Sequence, residues 1–518
     1  MSVVPLPQRM TPTPGSALWP GPRPRLAVPS EDLRAVGDVV VDLLARLHGT
    51  NPVLQIGGTG DLTLVLADAD DVAPETTPVQ GIDPQAVGLG PRERYELVVE
   101  DTGAVVTACS AEGLFRGATT FAQLVRDGVV PGVRIADGPA WAWRGLSLDV
   151  VRRFFTVEEV KKVIDLLALY KFNVLHLHLT DSQAWRLEIT GRPRLTGDLP
   201  FYTHDDYREI VAYAQARFVT VVPEIDMPGH VLAAVRAYPE LQGDEKPAHG
   251  LLAYLDPRAD AALRFAGDVL HEVAGLTPGP WVHIGGDEAF GMPHELYAEF
   301  VARALQMARG TGKKVAGWQE VTRSGAAPPA DLVQCWVGAG DEFDPEAARK
   351  AAPAEYLPLI DVVAESFARV PEDMPAAVAA DVPVLASPSS FLYLDRRHAE
   401  ESLLPDQNAR RTEVGFGSYR PRTARELFDW HPGGLVEIPG TARLAGVEAA
   451  IWCETVKGFD DLAFLLLPRL PGIAEKAWTP KVTGWDGYRD RVAGHTSWWD
   501  RLGWGAYYRS VEVFAPEG

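Results

Sequence analysis

From Trp143 onward the chain repeats one pattern: a short apolar run, polar or aromatic residues where that run ends, and then a helix-compatible segment. The strand candidates are Gly145 to Val150, Asn173 to Leu179, Val219 to Glu224, Trp281 to Gly285, Lys314 to Trp318, Leu332 to Trp336, Val382 to Ala386 and Val447 to Trp452. Parallel strands covered on both faces read as near-continuous apolar runs, and each needs a crossover before the next. Eight such units predict an α/β fold, a (β/α)8 barrel of the TIM type over residues 141–518, with its active site at the carboxyl ends of the strands. A helix is predicted after the first strand, where Thr156 to Glu159 forms a capping box and Val157, Val160, Ile164 and Leu167 share a face. The stretch from Ala339 to Ala380 is longer than one crossover helix needs and reads as an elaborated loop with helical content. The aromatic tail from Tyr488 to Tyr508 reads as a helix packed on the barrel.

Residues 1–140 follow a different rhythm. Leu62 to Leu66, Tyr95 to Val99 and Val105 to Ala108 read as strands, the last two joined across Asp101-Thr102-Gly103. Ala111 to Val125 carries a helical spacing at Leu114, Ala118, Phe121 and Leu124. These elements predict a small α+β domain ahead of the barrel.

Charge and cysteine content narrow the function. The formal net charge of −21 argues against nucleic acid and anionic membrane surfaces as partners. Cys109, Cys335 and Cys453 are an odd number at wide spacing, unlike a disulfide framework or a zinc site. The Pro-rich start, Met1 to Pro24, lacks a basic region followed by an apolar run, and no segment reaches the ~18 apolar residues of a membrane span. A cytoplasmic location is the expectation, although a secreted chain whose leader had been removed reads the same.

The chemistry-bearing residues gather at the strand ends. His283-Ile284-Gly285-Gly286-Asp287-Glu288 ends an apolar strand in two glycines and two adjacent carboxylates. Taken alone, this is also the pattern of a solvated turn. If both acids share one confined site, mutual repulsion raises one of them toward a usable proton donor near neutral pH. Arg144 stands at the first strand and Arg152 and Arg153 follow it; the second ends in His176, His178 and Asp181, and the third in Glu224, Asp226 and His230. Trp318 with Glu320, Trp336, Tyr393 with Asp395, and Trp452 with Glu454 close the later strands. Acids, tryptophans and arginine suit a neutral carbohydrate, whose C–H faces stack on rings and whose hydroxyls need charged partners. His176-Leu177-His178 also admits the metal site of a barrel hydrolase, or a core histidine.

Together these segments resemble the family 20 glycoside hydrolases, the β-N-acetylhexosaminidases. The resemblance runs through GLFRGATTFAQL (113–124), WRGLSLDVVRRFF (143–155), NVLHLHLTDSQAWRLEI (173–189), VVPEIDMPGH (221–230), HIGGDE (283–288), Tyr393 to Asp395 and GVEAAIWCE (446–454). It implies exo-acting hydrolysis of terminal β-linked N-acetylhexosamines by a retaining mechanism in which the substrate's own acetamido oxygen attacks the anomeric carbon, without cofactor or metal. It assigns Glu288 as general acid and base, Asp287 as the acid that orients the acetamido group, and Tyr393 as its hydrogen-bond donor. It implies aromatic walls at Trp318, Trp336 and Trp452, hydroxyl binding by Arg144, Asp395 and Glu454, and an Asp181–His230 pair behind the acid. Ser182 and Ala184 depart from the family pattern, and Tyr419 stands near the place of a usual tryptophan wall. A lacto-N-biosidase and a catalytically silent glycan-binding protein of the same fold are the alternatives.

Overall fold

The computed structural model describes residues 1–19, 23–243 and 249–515. Eight parallel strands close into a barrel in sequence order: Trp143–Asp149, Val174–His178, Thr220–Glu224, Trp281–His283, Lys314–Trp318, Leu332–Cys335, Val384–Ala386 and Leu444–Ile451, the last pairing with the first. The predicted capping box is formed: Thr156 accepts the Glu159 backbone N–H, and Glu159 accepts that of Thr156. The helix it starts, Val157–Leu169, turns Val160, Val163, Ile164 and Leu167 inward against the barrel.

The preceding domain is a seven-stranded mixed sheet in the order Arg9–Leu18, Val129–Asp137, Tyr95–Glu100, Gly103–Ala108, Leu62–Leu66, Arg25–Val28 and Val53–Ile56. Pro12 and Pro14 disguise the first of these in the sequence, and it lies at the edge of the sheet, where a missing N–H donor is tolerated. The helix Arg34–His48, also beyond the sequence reading, packs on the same sheet. The helix Ala111–Leu124 is buried along nearly its whole length because it lies between its own sheet and the barrel. Its Arg116 donates to the Phe218 carbonyl, and its Gln123 to that of Leu169.

Between the sixth and seventh strands the elaborated segment folds into three helices, Pro345–Ala351, Leu357–Phe367 and Val370–Ala379. In the tail, Trp485–Val492 and Thr496–Arg501 are helical, with Trp498, Trp499 and Trp504 buried. The Trp499 indole N–H donates to the Tyr170 hydroxyl of the first barrel helix at 2.8 Å. Among the described residues no helix is long and apolar enough to cross a membrane.

The two domains are joined through buried charge. Glu93 pairs with Arg116 and with Arg144 of the first barrel strand, while Asp137 receives the Lys171 ammonium at 3.0 Å and the Trp478 indole N–H. Burial works to raise the Glu93 carboxyl, but Arg144 and Arg116 overcome it and hold it at about 2. Removing one partner of such a cluster leaves the others charged, desolvated and unpaired, a loss of roughly 3–5 kcal/mol. Glu93→Ala is therefore expected to lower the thermal unfolding midpoint by several degrees in a calorimetric scan; an unchanged midpoint would show that the cluster does not hold the domains.

Candidate active site

The fourth strand stops at His283, and the chain then turns through Gly285 (φ 68°) and Gly286 (φ 101°), the left-handed region that glycine adopts without a Cβ penalty. Asp226 fills the space beside this turn. A Cβ on Gly285 would lie 1.7 Å from its Oδ1, and that same oxygen accepts the Gly286 N–H at 3.1 Å. The turn delivers Asp287 and Glu288 to one cavity, with side chains 14% and 28% exposed. Glu288 itself takes φ 46°, a strained conformation for a non-glycine residue that recurs at functional sites.

The cavity holds about 130 Å³ and lies past the carboxyl ends of the strands. Asp287, Glu288, Trp336, Tyr393, Asp395, Trp452 and Glu454 line it, together with Asp181 and His230. Trp318, expected as a third wall, is not among the residues that line the cavity: it is buried, 5.9 Å from Trp452 between ring centroids and donating its indole N–H to Glu224 at 2.7 Å. Trp336 is held by Glu320, which accepts its indole N–H at 3.0 Å. Tyr419 stands at the edge of Tyr393 and lines the same cavity.

A chain of charged hydrogen bonds runs behind the two acids. Glu224 and His178 meet at 2.7 Å, His178 and Asp181 at 2.9 Å, and Asp181 and His230 at 3.0 Å. The other ring nitrogen of His230, Nε2, lies 3.4 Å from Glu288 and 3.7 Å from Asp287. Burial pulls the His230 ring toward neutrality, but Asp181, Asp226 and Asp287 outweigh it and hold the imidazole well above its ordinary range. Asp181, which burial alone would raise, is kept well below the carboxylate range by His230 and Arg152. His230 thus presents a proton to the acids from a fixed direction. His176 lies deeper, paired with Glu448 at 2.8 Å. His176, Glu224 and His283 bring ligand atoms within 4.8 Å of one another, the spacing of a cation site, and these imidazoles and carboxylates already pair among themselves.

The Asp287 carboxyl is raised. Burial and neighbouring Asp226 push it well above the carboxylate range against the pull of His230, with Glu288 adding to the upward shift. The repulsion between neighbouring acids expected from the sequence is present at Asp287, behind burial and Asp226 among the causes that raise it. Burial likewise raises Tyr393, which keeps its phenolic proton, and raises Asp395, where Glu454 adds to the effect.

Arg144 corrects the sequence reading. It sits near the start of the first strand, where it donates to the carbonyls of Lys171, Trp141 and Ala142 and pairs with Glu93. A seven-residue strand at ~3.3 Å per residue puts that end roughly 20 Å from the cavity. The arginine in the cavity is Arg152, just past the strand's carboxyl end, 2.7 Å from Asp181, 3.3 Å from Asp149 and 3.8 Å from Glu454. Its chain position was the available signal, since catalytic side chains of such barrels follow the strands. His178 and Asp226, named at the strand ends but given no role in the sequence reading, also line the cavity, as does Phe416, which that reading did not single out.

This barrel, with paired carboxylates at the fourth strand and aromatic walls around them, defines a glycoside hydrolase. The comparisons specify it further. Residues 1–138 match the model of glycosyl hydrolase family 20, domain 2, and residues 141–292 and 290–481 that of the glycosyl hydrolase family 20 catalytic domain. The chain belongs to glycosyl hydrolase family 20. A beta-N-acetylhexosaminidase of Cellulomonas fimi is 37% identical over 507 residues, covering 94% of this chain and 91% of the relative. The solved GH20 beta-N-acetylhexosaminidase from Streptomyces coelicolor A3(2) superposes with a TM-score of 0.78 at 34% identity, over 99% of this chain and 98% of that one. The Streptomyces plicatus N-acetyl-beta-hexosaminidase in complex with Thio-NAglucal gives 0.80 at 32%, over 99% and 97%.

The two arginines separate experimentally. Losing a charged hydrogen bond to a ligand costs about 1.5–3 kcal/mol, so Arg152→Ala is expected to raise KM for an aryl N-acetylhexosaminide tenfold or more. Arg144→Ala is expected to lower the unfolding temperature and leave KM within about twofold. A KM effect confined to Arg144→Ala would reverse the assignment.

Proposed function

We infer that the chain is an exo-acting β-N-acetylhexosaminidase that releases terminal non-reducing β-linked N-acetylhexosamine with retention of configuration. The observation that carries this reading is the placement of Asp287 and Glu288 side by side in one cavity with Tyr393, in different surroundings. A substrate acetamido group entering beside Asp287 donates its N–H to that carboxylate, while the Tyr393 hydroxyl donates to its carbonyl oxygen. The carbonyl oxygen attacks C1 as Glu288 protonates the departing glycosidic oxygen, which gives an oxazolinium ion. Positive charge develops on that ring next to Asp287 and favours the ionised form of its carboxyl against the burial and the Asp226 charge that raise it. Glu288, now a carboxylate, takes a proton from the water that opens the oxazolinium.

The cavity's size supports release of one sugar at a time. At about 130 Å³, bordered by Arg152, Asp395 and Glu454, it suits a single pyranose. Trp452 and Trp336 offer faces to the ring and the acetyl methyl, and the charged groups offer partners to the hydroxyls.

Positioned general acids contribute about 10²- to 10⁴-fold. Glu288→Gln is therefore expected to lose that much kcat/KM on methyl or alkyl N-acetylglucosaminides and much less on a dinitrophenyl glycoside, whose leaving group needs no proton. Equal losses on both would remove Glu288 from the acid role. A thiazoline analogue of the cyclised intermediate is expected to inhibit the wild-type enzyme competitively, and Asp287→Asn to weaken that inhibition. Substrates lacking the 2-acetamido group are expected to go unhydrolysed.

A further inference from the structure

Away from the barrel mouth, a cavity of about 490 Å³ opens where the amino-terminal domain meets the carboxyl-terminal tail. The domain contributes Trp19, the end of the helix Arg34–His48 with Thr50 beyond it, and the loop from Val125 to Gly128. The tail contributes Ser497, Trp498 and Arg501 from the helix Thr496–Arg501. This cavity shares no lining residue with the catalytic one.

Its charged groups are unbalanced. Arg126 and Arg501 both line it, and neither forms an ion pair among the described residues. The one acid of the lining is Asp127, which is exposed. The Arg126 guanidinium lies 4.1 Å from the centroid of the Trp498 ring, and its side chain donates to the Val125 carbonyl at a long 3.4 Å. Burial pulls this guanidinium below its ordinary range, against a smaller upward pull from Asp127. The same positive field reaches His48. Burial lowers its imidazole to about 4 against the hydrogen bond to the Ala122 carbonyl, and Arg126 and Arg501 add to the shift. His48 is therefore neutral near pH 7, and two guanidiniums face a single exposed carboxylate. With a net charge of −21 the chain has carboxylates to spare, so their scarcity here is a property of the site.

Uncharged donors line the same cavity. The Trp19 indole, 2% exposed, has its Nε1–H unpartnered, and so have the buried Thr50 hydroxyl and the buried Arg126 Nη2 among the described residues. Buried polar groups are hydrogen-bonded and buried charge is paired, because a donor left without an acceptor forfeits its hydration. A helix end explains part of the arrangement. Cations are favoured at a helix carboxyl terminus, and Arg501 lies against Gly49, the left-handed residue that ends the helix Arg34–His48. That accounts for one guanidinium. It does not account for the unpartnered donors of Arg126, Trp19 and Thr50.

We propose that this cavity binds a tetrahedral oxyanion, a phosphate or sulfate group, held by Arg126 and Arg501 and oriented by the Trp19 indole N–H and the Thr50 hydroxyl. Such a group presents acceptors in several directions at once and carries the charge that guanidinium donors match. Because the walls come from both the amino-terminal domain and the tail packed on the barrel, the bound anion ties those two parts together. The group arrives either as a free ion or as the monoester of a small sugar, and the volume admits both.

Isothermal titration calorimetry of the whole chain, in chloride buffer at matched ionic strength, tests the site with sodium sulfate, sodium phosphate and glucose 6-phosphate. Glucose 6-phosphate lacks the acetamido group that the catalytic cavity is read to hold. Saturable binding of at least one of these is expected, with a Kd at or below about 1 mM. Arg501→Gln, on an exposed side chain, is expected to weaken it tenfold or more, the equivalent of a lost charged hydrogen bond, without lowering the unfolding midpoint measured in chloride alone. Trp19→Phe, which removes the donor and keeps a ring, is expected to weaken it severalfold. At a hundredfold excess over Kd the anion is expected to raise the wild-type midpoint by about 2 °C, and that of Arg501→Gln by no more than half as much. That difference separates the site from the general stabilising effect of such salts. Tighter binding of the monoester assigns the site to a phosphorylated sugar, and tighter binding of an inorganic ion assigns it to the free anion. No saturable binding of any of the three, or binding undiminished in both variants, would overturn the proposal.

Discussion

The site depends on a steric exclusion at the end of the fourth barrel strand. Asp226 occupies the space a side chain would take at Gly285, so the strand leaves the sheet there and turns through two left-handed glycines. Any Cβ at Gly285 would displace the carboxylate that receives the Gly286 N–H. The turn forces two residues adjacent in sequence to face different surroundings. Asp287 is driven toward Asp226 and the buried interior, while Glu288 has more access to solvent. Identical functional groups acquire different chemistry from this difference in burial and neighbours.

Charge placed in so dry a setting requires support, and the barrel interior supplies it. Glu224 sits among His176, His178 and His283, which overcome the burial penalty and hold it well below the carboxylate range. From Glu224 the chain of hydrogen bonds reaches His178, Asp181 and His230, and Arg152 ties Asp181 to the sugar cavity. Desolvated ions that lose one partner are costly, so the members of this chain stabilise one another or none. The same logic operates at the opposite end of the barrel, where Arg144, Glu93, Arg116, Lys171 and Asp137 join the domains. Buried charge orients the acids at one end and holds the domains together at the other.

Much of this was legible in the residues, and the failures have physical causes. The barrel could be read because its strands are covered on both faces and therefore carry apolar runs that end abruptly in polar residues. The fourth strand was read to Gly285 but ends at His283, since the glycines that mark its end already belong to the turn. The edge strand Arg9–Leu18 was unreadable because prolines are tolerated where no ladder bond is required. Arg144 was placed in the cavity because a sequence motif does not say which end of a strand a residue occupies in space, and Arg152, a few residues later, was the one beyond the strand. Asp226 drew no role because its work is done on the backbone of another strand, sixty residues away.

The central claim is that the enzyme's carboxylates do not attack the sugar; Asp287 holds the substrate's amide so that its carbonyl oxygen can. The most direct measurement is kcat/KM across aryl glycosides whose N-acetyl group carries zero, one, two and three fluorine atoms. Fluorine withdraws electrons from the carbonyl oxygen and weakens it as a nucleophile, while leaving the ring, the glycosidic bond and the leaving group unchanged. The account predicts a steep, monotonic fall along the series. A rate insensitive to fluorination would contradict it and assign the attack to a group on the protein or to water.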